Sequence, residues 1–470
     1  MLTGIVALGL ATLGPQGPCR PAGELPAAKA FQRKAETYLK GYSAPNAPGV
    51  VVLVARGDHV LLRRACGMAS IELGVPLSPD QSFRIGSNSK QFTAATILKL
   101  VDAGKLSLSD PLSKFLPDYP NGENITMHEL LNHTSGVFDY TEAPDFMTAA
   151  RADVDLPALI AEFRNHAPDF PPGTGSRYSS SDYVLLSAVI EKVTGQSWDR
   201  AMQQLILTPL SLSHTGVGSD VPILPGRVAG YSRGEHGEVT NAVYLSITQT
   251  VGAGGLVSTA DDLLRWTRAL HTGRVLSPAR YRQMITPVPN ASGKPTDYGY
   301  GLFVNELRGE KLLWHGGLIP GFLTLVGYLP KSQVTVVVLL NSDAPEADPE
   351  MLMRQLAAAA LGNPYPERHA VTLTDAQLHE MEGVYRIDDK TRRVLSLRDH
   401  QLYSQRGAGE PKRLLPASAN ELFLEGSLDY FAVVRNAAGK VIALDQFVNG
   451  EPPAVRQEKT NEPMPASSMR

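Results

Sequence analysis

Along residues 91–101 apolar side chains recur at three- and four-residue steps, which predicts a helix with one buried face. Upstream, residues 50–56 are almost wholly apolar, Gly57-Asp58 offers a turn with glycine first, and residues 59–64 resume the apolar run. That pattern predicts a β-hairpin. Helical spacing at Phe31, Ala35, Tyr38 and Leu39 stops at the proline- and glycine-rich residues 45–49. From Asp102 to about Gly252 strand signals are sparse, and Asp110-Pro111 and the capping box Thr126…Glu129 mark helix starts, so this section reads as a helical insert. Four strand-like runs follow, at 298–304, 311–317, 322–328 and 335–341, with a helix over 351–361 to cover a face. The predicted fold class is α/β (α+β): an antiparallel sheet flanked by helices, with a helical insert.

Beyond that helix the pattern changes. Residues 363–374 read as a linker, and short alternating runs at 394–397, 401–404, 421–424 and 431–434 predict a small all-β barrel or sandwich, lipocalin-like, over 375–460. Residues 461–470 read as a disordered tail. Two folded domains suit a chain of 470 residues. At the other end an apolar run over 2–13, followed by prolines and small residues, resembles a secretory signal over residues 1–27, although no Lys or Arg precedes it. The expected location is therefore secreted or periplasmic, with no stable membrane span.

A net charge of −3 with mixed signs argues against a nucleic-acid surface. Cys19 and Cys66 match neither a zinc pattern nor a disulfide framework, and Cys66 reads as a small packed side chain. His128 and His133 lie five apart, which places them on different helix faces and removes a zinc-protease reading. No metal or cofactor is called for.

The candidate chemistry starts at Ser87-Asn88-Ser89-Lys90. Residues three apart on a helix share a face, so the Lys90 amine can reach the Ser87 hydroxyl, a nucleophile beside its base. Such a spacing arises by chance about once in a chain of this composition. Downstream, Tyr178 follows the rigid turn of Pro171-Pro172-Gly173, where it serves equally as a phenol projected into a cleft or as a packing aromatic. A second serine candidate, Gly230-Tyr231-Ser232-Arg233-Gly234, fits the nucleophile-elbow pattern but lacks the strand before and the helix after that the elbow needs.

Ser87-x-x-Lys90, Tyr178-Ser179-Ser180 and His315-Gly316-Gly317, taken in order with 131–136 and 254–256, resemble the serine penicillin-recognising hydrolases: class C β-lactamases, D-alanyl-D-alanine carboxypeptidases, D-aminopeptidases and related esterases. The likeness covers about residues 31–361. It implies that Ser87 is acylated, that Lys90 takes its proton, and that Tyr178 is a second base whose phenol pKa nearby cations depress. It also implies an oxyanion hole from the N–H groups of Ser87 and Leu318, with Ser180, Gly316 and Gly317 against the substrate. Two departures stand out. Ser180 replaces an Asn that bonds substrate amides, and His315 replaces a Lys that grips a carboxylate. A small-molecule or peptide substrate without that carboxylate is expected, cleaved at an amide or small ester, with true β-lactamase action and a catalytically silent module as alternatives. The oligomeric state is left open.

Overall fold

The computed structural model describes residues 19–21, 29–42, 44–289, 293 and 296–464. The chain divides into two compact units, one of residues 1–303, 314–327 and 335–345, the other of residues 304–313, 328–334 and 346–470.

A seven-stranded sheet organises the part of the fold that carries the candidate chemistry. Its strands are β1 (Cys19–Pro21), β2 (Val50–Arg56), β3 (His59–Cys66), β4 (Phe303–Leu307), β5 (Glu310–Ile319), β6 (Phe322–Leu329) and β7 (Val334–Leu340), in the order β1-β3-β2-β7-β6-β5-β4. The expected hairpin is β2 and β3, and Gly57 turns it at φ +52°, a conformation that suits glycine. From Val50 to Ala55 β2 is buried at every position, as its run of β-branched residues requires of a strand covered on both faces. Residues 1–18 and 22–28, most of the expected signal segment, lie outside the described residues, while β1 pairs with β3 and puts Cys19 opposite Cys66. Cys66 is disulfide-bonded. The reading of Cys66 as a merely packed side chain is thereby corrected, because partners far apart in sequence show no framework spacing.

Two further expectations change. The run 298–304 yields a strand only from Phe303, since Gly301 turns at φ +73° with its Cα so close to α2 (Ser89–Asp102) that an added Cβ would lie 2.7 Å from the Lys90 carbonyl oxygen. And α2 is not half-buried: its residues from Ser89 to Leu98 are all buried, polar ones included. Their hydroxyls are satisfied internally, Ser89 Oγ on Gly86 O at 2.7 Å and Thr93 Oγ1 on Gly252 O at 2.8 Å. The helices α3 (Met127–Leu131), α4 (Ser180–Thr194) and α5 (Ala260–His271) complete the first unit's main frame, and α3 opens with the expected Thr126/Glu129 capping box.

In the second unit, α6 (Pro349–Leu361) precedes a closed eight-stranded barrel running from β8 (Gly383–Arg386) to β15 (Val455–Lys459). Leu395, Leu402, Leu414, Leu422, Phe431 and Leu444 are among the side chains filling it. The segment expected as a linker is held rather than free. Val371 N donates to Pro416 O at 2.9 Å, Arg368 pairs with Glu421 at 2.7 Å, and its guanidinium lies 3.7 Å from the centre of the Tyr430 ring. Among the described residues no helix is long and apolar enough to cross a membrane.

Candidate active site

Ser87 lies in a 3-10 turn, Gly86–Asn88, immediately before α2. Gly86 sits at φ +50°, and a Cβ there would meet Leu318 N at 3.0 Å, so only glycine lets the turn and the end of β5 approach this closely. Gly317 is tighter still: its Cβ would fall 2.0 Å from Ile85 O. Thr324 of β6 ties the same parts together, donating to Ile85 O at 2.9 Å and accepting from Asn88 Nδ2 at 3.0 Å. The turn that holds Ser87 is thus bolted to the sheet edge that carries Leu318.

One helical turn on, Lys90 is fully buried, with Nζ 3.1 Å from Ser87 Oγ, 3.5 Å from Ser180 Oγ and 2.9 Å from Ala253 O. Burial without a carboxylate in contact pulls its amine down to about 7, against a smaller upward pull from Asp139 and Asp182. Near neutrality a large share of this amine is therefore a free base.

Tyr178 stands over the same group. Lys90 Nζ is 4.7 Å from its ring centre, and its phenol bonds with the Ser87 side chain. Desolvation raises the Tyr178 phenol above its ordinary value, with the Ser87 bond opposing it. The expected depression of that phenol is not found: its own burial outweighs the bond to Ser87. Ser180 begins α4 and lines the cleft beside Lys90.

His315 is 2 % exposed and both its nitrogens are engaged: Nδ1 with Gly316 O at 2.5 Å and Nε2 with the Tyr298 hydroxyl at 2.9 Å. A carbonyl only accepts, so Nδ1 carries the proton and Nε2 accepts from Tyr298. Desolvation, with Lys90 adding to it, pushes the imidazole down to about 3, so it is neutral. It offers no cation to a substrate carboxylate.

The cleft over these groups has a volume of about 650 Å³. Ser87, Tyr178, Ser180, His315, Gly316, Gly317 and Leu318 all line it. Phe146, Leu245, Phe303, Trp314 and Leu323 give it an apolar wall. Its one arginine, Arg177, is already paired with Glu142 and with Asp169 at 2.9 Å. Asp139, buried on the same wall, uses Oδ1 to cap the turn Tyr140–Glu142. Sequence reasoning passed over Asp139, which no spacing distinguishes from an ordinary capping residue. It also missed Tyr298 behind His315, and the buried contacts of Asp182 with His133 and Ser135 beneath Tyr178. Ser232, the rival serine, is elsewhere, in a two-stranded hairpin with Oγ 2.6 Å from Asp343. His128 and His133 take separate partners, Tyr300 and Asp182.

The beta-lactamase family model matches residues 31–361. The chain belongs to the beta-lactamase family. Within it, the chain is 28% identical over 399 residues to penicillin-binding protein 4* of Bacillus subtilis (strain 168), covering 79% of this chain and 87% of that one. It is 28% identical over 326 residues to a D-aminopeptidase of Gluconobacter oxydans (strain 621H), a match that spans 68% of this chain but 60% of the relative's length. Among solved structures, a D-stereospecific amidohydrolase from Streptomyces sp. is 30% identical with a TM-score of 0.59, covering 66% of this chain and 94% of its own. The octameric penicillin-binding protein homologue from Pyrococcus abyssi is 25% identical with a TM-score of 0.64 and covers 92% of this chain and 99% of its own, so the likeness reaches into the barrel.

Proposed function

We propose that this member of the family is a serine hydrolase that works through an acyl-enzyme on an amide or small ester whose acyl part is apolar and carries a free amine rather than a carboxylate. Ser87 Oγ attacks the carbonyl carbon while its proton passes to the neutral Lys90 amine 3.1 Å away. The oxyanion forms between the N–H groups of Ser87 and Leu318, which two glycines bring together, a stabilisation worth about 3 kcal/mol per donor in comparable sites. Tyr178, kept neutral by burial, hands a proton to the leaving amine or alcohol and is recharged from Lys90; water then follows the same route in reverse to release the acid.

The observation that carries this reading is the fully buried Lys90 amine, drawn down to about 7, against the Ser87 hydroxyl. The substrate class rests on the cleft's charges. His315 is neutral with both nitrogens engaged, and the carboxylates Asp139 and Glu142 line the cleft with one arginine, Arg177, which is already paired with Glu142 and Asp169. A cation is welcome there and an anion is not. The similarity to a D-aminopeptidase and a D-stereospecific amidohydrolase favours the D configuration at the acyl residue. Export to an oxidising compartment is consistent with the bonded Cys66.

A panel of anilides tests this. D-Phenylalanyl p-nitroanilide should be cleaved with a larger kcat/KM than its N-acetyl form, and Asp139→Asn should erase that preference. Faster turnover of a chromogenic cephalosporin or of an N-acylated peptide ending in D-Ala-D-Ala would overturn the substrate class.

A further inference from the structure

We infer that a second cavity in the first unit, apart from the catalytic cleft, binds a free apolar amino acid as its zwitterion. The cavity has a volume of about 560 Å³, and none of the residues lining it lines the cleft over Ser87. Three pieces of chain build its walls. Residues 115–119 leave the turn Leu112–Lys114 in a tight series, with Leu116 N donating to Leu112 O at 2.9 Å and Tyr119 N to Leu116 O at 3.1 Å. The helix Leu156–Phe163 carries Pro157 in its first turn and is capped by Asp155, whose Oδ1 accepts from Ala158 N at 2.8 Å. The third piece is the C-terminal half of α4, whose first residue, Ser180, lines the catalytic cleft, while Ala188, about 12 Å further along the axis, lines this cavity. Phe115, Leu116, Leu156, Ile160 and Ala188 give it an apolar lining.

The polar groups of the cavity are of both signs and short of partners. Tyr119 is 8 % exposed and lines the cavity, and its hydroxyl bonds no group among the described residues. Burial raises the phenol, so it stays a neutral donor, and the Arg164 charge acts on it. Arg164 spends one donor on the backbone carbonyl of Asp118; among the described residues neither it nor Lys192 has a carboxylate partner. A guanidinium, an ammonium and a phenol with donors to spare fit a carboxylate. Asp118 and Glu191 line the same cavity. Glu191 uses Oε1 on Trp198 N at 3.1 Å, which leaves it one oxygen, and the Asp118 carboxylate bonds none of the described residues. Two cations and two carboxylates cancel in sum, so a net anion or a net cation gains less here than a molecule carrying one charge of each sign. An apolar amino acid has that pair of ends on an apolar body, and a concave apolar site with a few convergent polar groups is the form a small-molecule site takes. The assignment is read from the cavity and stands apart from the function proposed above.

Photoaffinity labelling of the full chain tests the site without reference to catalysis. Racemic photo-leucine, whose diazirine side chain inserts into nearby bonds on irradiation, should label peptides holding residues 115–119, 156–164 or 188–192, and excess leucine should compete the label away. 4-Methylpentanoic acid and 3-methylbutylamine, which each lack one charged end, should compete at least about tenfold less well. Tyr119→Phe removes a hydroxyl with no partner among the described residues, so it should leave Tm unchanged while cutting the competed label about threefold or more. Lys192→Ala should do the same. Label confined to the catalytic cleft, label that leucine does not compete, equal competition by the acid or the amine alone, or label that both variants leave unchanged would each overturn the inference. Labelling of these peptides would stand even if Ser87 proved inert, and hydrolysis without such label would keep the proposed function while removing this site.

Discussion

Lys90 Nζ donates to the carbonyl of Ala253 across 2.9 Å, at a depth where no part of the lysine touches solvent. The amine is held by a neutral dipole instead of a carboxylate. Its charge is thus poorly compensated, its proton is easily lost, and once it is lost the lone pair is available to the Ser87 hydroxyl 3.1 Å away.

The pH dependence of acylation follows. Only the neutral amine accepts the serine proton, so kcat/KM should rise tenfold per unit through the acidic range and level off near the Lys90 value of about 7. Stopped-flow acylation rates with an activated ester measure this limb, and His315, already neutral, should not contribute to it.

The same lysine should weaken the fold. Its folded-state value of about 7 lies below the unfolded one, so between those two values unfolding takes up a proton and stability rises with pH. Over that window the cost at neutral pH is on the order of 4 kcal/mol. Lys90→Met should therefore lose turnover by at least about a thousandfold while melting higher than the native protein. The gap in Tm should shrink as pH is raised from 7 towards 10.

His315 has both nitrogens engaged, so its replacement should report on packing rather than proton transfer. His315→Ala leaves the buried Tyr298 hydroxyl without its acceptor and should cost about 1–3 kcal/mol in chemical denaturation with the acidic limb unmoved. His315→Lys, which supplies a cation at the cleft, should raise the rate of acylation by penicillins relative to amine-bearing anilides.

Gly317→Ala puts a Cβ 2.0 Å from Ile85 O and must drive the end of β5 away from the Ser87 turn. With the oxyanion donors parted, kcat should fall about a hundredfold or more while KM changes little. Steady-state kinetics on an ester substrate separates the two.

Much of this site was legible because its pieces are local. Ser87 and Lys90 share one helical turn, the β2–β3 hairpin has its glycine, and the β-rich runs over 311–341 are nearly uninterrupted. What escaped depends on distant partners. Asp182 and His133 are 49 residues apart, Tyr298 and His315 are 17 apart, and nothing in either pattern announces the bond. The barrel's last strand, Val455–Lys459, is charged and mostly exposed, so no alternation marks it, and Lys412–Ser418 carries Pro416, which argues against a strand until the register irregularity between Pro416 and Ser418 is known. The phenol of Tyr178 was misjudged for a related reason: its pKa is raised by burial that only the fold supplies.

The central claim is that Ser87 is the group that becomes acylated, and peptide mapping by mass spectrometry after treatment with a fluorophosphonate probe tests it directly. The modification should sit on Ser87, at one equivalent per chain, and should be nearly absent in Lys90→Met. An adduct on Ser232, or labelling of Ser87 that is as fast without the lysine as with it, would contradict the account.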